Sequence, residues 1–146
     1  MNDLAAEWCI VGTLLPYPYH PDGPQAHLRS QKIFPAGAKL YVLGGFAGYD
    51  TVTVLGYAHR RRSPVVAHIK AAYIGGWRAQ LLYRPVILRA IHQAAAEDGG
   101  HRWLFDYHEG RRVELDPTAP EAGVRLAQVA ADFQQRLHGP PLGPAE

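Results

Sequence analysis

The sequence predicts an α+β fold: a curled antiparallel β-meander, approaching a small barrel, with α-helices at about residues 85–98 and 119–138. Three observations lead there. Short apolar, β-branched runs recur between turn signals over residues 7–70. Two later segments repeat apolar residues at helical spacing. Glycines punctuate the extended runs, which favours a curled sheet over a flat one.

The elements follow in order. "EWCIVGTLL" (7–15) reads as a strand stopped by Pro16, and "PYPYHPDGPQAHLRSQ" (16–31) as a proline-ordered loop, long for a compact domain. A Pro-Ala-Gly turn then feeds a strand from Lys39 to Leu43, and "GGFAGYD" (44–50) is a glycine-rich connection. That connection lacks the Gly-Lys-Ser/Thr ending of a phosphate-binding loop. In "TVTVLGYAH" (51–59) Thr51, Thr53, Leu55 and Tyr57 alternate with Val52, Val54, Gly56 and Ala58, so each set lines one face. "VVAHIKAAYI" (65–74) is strand-like again, and the two arms double back around Arg61.

Pro85 suits a first helical position and Gly99-Gly100 a stop, with Ile87, Ile91, Ala94 and Ala95 as the buried stripe. "HRWLFDYHEGRRVELD" (101–116) reads as a hairpin turning near Glu109-Gly110, with Trp103 and Phe105 as core side chains. In the last helix Thr118 and Glu121 suggest a capping box, and Leu126, Val129, Ala130, Phe133 and Leu137 repeat at helical spacing until Gly139.

A chain of 146 residues, 47% hydrophobic and 19% charged, suits one globular domain, here 1–139, with 140–146 as a disordered tail. The formal charge of +2 is small for a dedicated nucleic-acid binder, although eight histidines would add charge in acid. The lone Cys9, inside an apolar run, reads as a buried inert thiol. No signal peptide or membrane span is expected, so the chain reads as cytoplasmic.

Three groups of side chains are candidate binding residues. Arg60, Arg61 and Arg62 occupy a hairpin tip, either as a solvated turn or as paired donors for phosphate or an acidic partner. Lys70, Arg78 and Arg84 would extend a basic face if the sheet folds back. His59 and His68 flank the same hairpin and could face one another across it, whereas Asp106 and His108 are too few for a zinc site. Tyr17, Tyr19 and His20 in the proline loop, with Trp77 beyond it, are interface material because aromatic rings bury much area at low entropic cost. No metal and no cofactor are expected.

"PYPYHPDGP", "KIFPAGAKLYVL", "VLGYAHRRRSPVV" and "GGWRAQLLYRPVILRAI", in that order, resemble a family of small bacterial proteins without an assigned activity. The match spans over half the chain and departs where Gly76 precedes Trp77-Arg78 in place of a polar residue. Such compact proteins resemble accessory or immunity proteins of bacterial conflict systems. The reading ranked first is a non-catalytic protein-binding module. A nucleic-acid-binding or RNA-cleaving domain using Arg60–Arg62 and the histidines is the alternative, and a small-molecule enzyme a further one.

Overall fold

Five strands pair into one antiparallel sheet in the order β4-β3-β2-β1-β5. They are β1 (Glu7–Leu14), β2 (Lys39–Gly44), β3 (Thr51–Tyr57), β4 (Pro64–Lys70) and β5 (Ile74–Leu82). A computed structural model describes residues 5–15, 33–44, 51–59, 62–97, 103–104, 113–114 and 116–138. The proline loop, the residues that follow Gly44 up to Asp50, Arg60, Arg61, Phe105 to Arg112 and the expected tail lie outside them. Two α-helices are among the described residues, α1 (Pro85–Glu97) and α2 (Pro120–His138). Between them Trp103 pairs with Glu114 and Leu104 with Val113, while the expected turn near Glu109-Gly110 lies outside the described residues.

The curl follows from one short connection. Laid flat, this strand order would hold β4 and β5 about 19 Å apart, at about 4.8 Å per strand. Yet only the 3₁₀ turn Ala71–Tyr73 joins them, and four residues reach no more than about 14 Å. The edges must therefore bend toward each other. Side chains from both edges, Ala67 and Ile69 from β4 and Ile74 and Trp77 from β5, meet in a single core with Ile10, Leu14, Leu40, Val42, Val52 and Val54. This is the concave face, and α2 packs against it with Leu126, Ala130 and Phe133. The convex face gathers Cys9, Val11, Tyr41, Leu55 and Leu82 beneath Ile87, Leu88 and Ile91 of α1.

The faces of β3 are those its alternation predicts. Val52, Val54 and Gly56 are buried toward the concave core, while Leu55 and Tyr57 belong to the convex cluster. The β3–β4 arms double back as expected, with Tyr57 opposite Pro64 and Thr51 opposite Lys70. Three expectations are corrected. The run from Val65 to Ile74 is not one strand: it breaks at the 3₁₀ turn, which redirects the chain across the mouth of the curled sheet. His59 and His68 do not face one another, because the register sets His68 opposite Thr53, whose Oγ1 lies 3.1 Å from His68 Nδ1.

The third concerns the start of α2. Thr118 donates its hydroxyl to Asp116 Oδ1 at 2.7 Å, and its backbone N–H donates to the same oxygen at 3.0 Å. Asp116, not a Thr118–Glu121 capping box, organises this end. The hydroxyl first and the amide second hold the Asp116 carboxyl below its ordinary 3.8. A depressed carboxyl stabilises the fold above that ordinary value, and the contribution is lost as pH falls through the lowered one. Asp116→Ala should therefore melt below the parent protein at about pH 6, with the gap closing at about pH 2. A gap of equal size at both pH values would refute this assignment.

β5 has no counterpart among the sequence expectations, because Gly75-Gly76 interrupts its alternation. The glycines build a bulge. Val11 pairs with Arg78 and Thr13 with Gly75, so Gly76 and Trp77 together oppose Gly12. Gly76 has φ +64°, the left-handed conformation this bulge requires. The extra residue shifts the alternation by one. Trp77 turns into the concave core and Arg78 onto the convex face.

Glu7 is buried at the start of β1 and bonded to His92 of α1, which fastens that helix across the strand. The Cys9 thiol is buried too, 3.3 Å from the Ile10 carbonyl and 3.6 Å from that of Val42. No helix of the described residues is long and apolar enough to cross a membrane.

Candidate functional site

Strand alternation puts Lys39 on the convex face beside Tyr41, at the end of β2 where its neighbour Thr13 on β1 is also convex. Its side chain does not leave the sheet for solvent. Nζ lies 5.5 Å from the centroid of the Tyr41 ring and donates to Gln80 Oε1 of β5 at 2.7 Å. The ammonium has thus crossed β1 and sits on the β5 side. Arg78, exposed on β5 by the bulge, and Arg84, exposed just before α1, are its cationic neighbours.

The electrostatics record this crowding. Partial burial, then Arg78, then Arg84 lower the Lys39 ammonium from its ordinary 10.5. Burial raises the Tyr41 phenol above its ordinary 10.0, opposed by Arg84. No carboxylate of the described residues forms an ion pair with Lys39, Arg78 or Arg84. Arg78 Nη1 is anchored on the Gly76 carbonyl at 3.0 Å, so its position is tied to the bulge. The arrangement is a small cationic surface with Gln80 as a further polar group.

Beside it the link into α1 presents apolar surface. Tyr83 is 70% exposed and Val86 48% exposed, on either side of Arg84. Pro85 sets the first turn of α1, and no acidic residue neutralises that turn.

The residues singled out in the sequence divide clearly. Trp77 is 6% exposed, stacks on Phe133 at 4.4 Å between centroids and donates Nε1–H to the Ile74 carbonyl at 2.8 Å. It is a core residue. Arg62 and His59 are exposed near the β3–β4 tip, with His59 N–H donating to the Ile33 carbonyl at 3.3 Å. Tyr17, Tyr19, His20, Arg60 and Arg61 lie outside the described residues. Lys70 lies over the Tyr73 ring, 5.9 Å from its centroid, whereas Arg78 and Arg84 join Lys39. Sequence reasoning missed Lys39 and Gln80, whereas Tyr83 stands among the aromatic residues that the sequence offers as interface material. The available signal was a lysine next to tyrosine at the convex positions of an otherwise apolar strand.

No family model, curated protein or solved structure matches this chain. Among the described residues no three His, Cys, Asp or Glu side chains gather where a metal ion could be held.

Proposed function

We propose that the protein is a non-catalytic protein-binding module, of accessory or immunity type, whose contact surface is centred on Arg84. One observation carries this reading: two exposed apolar side chains, Tyr83 and Val86, flank an exposed arginine that has no carboxylate partner among the described residues. Tyrosine and arginine are enriched among residues that dominate binding energy, and apolar neighbours exclude water from the charged contact. A partner surface bearing negative charge is the complement, with steering that weakens as salt rises.

Paired captures from native lysate test it, using the parent protein and a Tyr83→Ser/Arg84→Gln/Val86→Ser variant. A stoichiometric partner retained by the parent and lost by the variant is the expected result. Identical captures by both would refute the assignment of this surface. Salt-sensitive binding of RNA or DNA at low ionic strength, abolished by the same variant, would move the surface to the nucleic-acid class.

A further inference from the structure

We propose that His92 is a phosphoryl acceptor: its Nδ1 takes the phosphoryl group of a phosphoramidate, such as the phosphohistidine of another protein, with Glu7 as the positioning residue. The proposal does not rest on the Arg84 surface.

Glu7 is the one charged side chain buried among the described residues. Burying a carboxylate is costly unless donors meet it, and Nε2 of His92, on α1, is such a donor. A carboxylate only accepts, which assigns the ring proton to Nε2 and the lone pair to Nδ1. No hydrogen bond engages that nitrogen among the described residues, and the histidine side chain is 44% exposed. Helical side chains lean toward the N-terminus, so the residue that would cover the ring is Ala96, which carries only a methyl group. The lone pair is therefore open to a small electrophile. Glu7 fixes the tautomer and stabilises the positive charge that attack leaves on the ring.

Arg89 favours a phosphoryl group as that electrophile. It is exposed three residues before His92, on the same helix face, at about 5–6 Å between Cβ atoms. His92 leans over the turn that carries it. A phosphoryl group on Nδ1 brings three acceptor oxygens and about two negative charges to that guanidinium. In the transfer the P–N bond of the donor breaks and a P–Nδ1 bond forms. The donor nitrogen, protonated in the zwitterionic phosphoramidate, leaves as neutral amine with the electron pair of the broken bond. The ring becomes an imidazolium whose Nε2–H still donates to Glu7.

The test treats the full chain with potassium phosphoramidate, maps the product by mass spectrometry, and distinguishes the two nitrogen isomers by phosphorus NMR. His92 should be phosphorylated at Nδ1, about tenfold or more faster than His68 or His138. His138 is the sharpest control, because its Nε2 is bonded too, but to the Ile74 carbonyl instead of a carboxylate. The same chain in urea should lose the preference. Glu7→Gln keeps an acceptor without the charge and should slow His92 by about tenfold, with the Nδ1 isomer retained. Arg89→Gln should slow phosphoryl transfer about two- to fivefold. It should leave carbethoxylation of His92 by diethyl pyrocarbonate, a neutral reagent, unchanged. Phosphate on Nε2 of His92, equal rates at His68, His92 and His138, or an undiminished rate in Glu7→Gln would each overturn the proposal. The same response of both reagents to Arg89→Gln would overturn the phosphoryl assignment. None of these outcomes touches the protein-binding reading, which the lysate captures test separately.

Discussion

Trp77→Ala should cost about 3–5 kcal/mol. The indole is buried, stacked on Phe133 with an interplanar angle of 14°, and its N–H is satisfied by the Ile74 carbonyl. Truncation removes the ring and opens a cavity between β5 and α2, while the carbonyl that loses its indole donor keeps His138 Nε2 at 2.6 Å. The stack itself should contribute about 0.5–1.5 kcal/mol, read from a double-mutant cycle with Phe133→Leu. Urea denaturation measures all three variants. Additive losses would mean that the rings are neighbours without coupling. A loss under about 1 kcal/mol for Trp77→Ala would contradict the core placement altogether.

Gly12→Ala should destabilise for the opposite reason. A Cβ at Gly12 would stand 2.4 Å from Ile74 Cγ2 and 3.1 Å from the Gly75 carbonyl oxygen. Ile74 is fully buried and cannot swing aside, and the carbonyl belongs to the bulge. Overpacking of this kind costs about 1–3 kcal/mol, or about 2–4 °C of melting temperature per kcal/mol. Gly37→Ala is the contrast. Nothing lies within 4 Å of its Cβ position, so only the strain of φ +84° is added, about 1–2 kcal/mol. Ile74→Ala should therefore relieve part of the Gly12→Ala loss and none of the Gly37→Ala loss. Thermal melts of the two double variants decide it.

Much of this fold can be read from local chemistry. The alternation of β3, the return at Pro64 and the stripe Leu126, Ala130, Phe133 are short-range patterns, and each is found where its period places it. Pro85 likewise opens α1. What escapes is non-local. β5 is disguised by two glycines, and its pairing with β1 depends on the curl of the whole sheet. Trp77 looks like surface aromatic material until the bulge turns it inward. The same shift decides the candidate site, since it aims Arg78 outward. A basic face containing Arg78 and Arg84 is legible only on the condition that the sheet folds back. Lys39 is not legible at all, because its reach across β1 to Gln80 is a tertiary fact. At the start of α2 two capping chemistries compete within a few residues, and Asp116 outbids the sequence signal of Thr118 and Glu121.

β1 lies between β2 and β5, yet β5 is translated long after it: Glu7 pairs with Leu82. During synthesis β1 and β2 have both emerged well before the last partner does. At about 5–20 residues per second the wait lasts several seconds. Throughout it, the edge that β5 will occupy is an open apolar template holding Cys9, Ile10 and Val11. The nascent chain thus carries that edge without its β5 partner until Leu82 clears the ribosome.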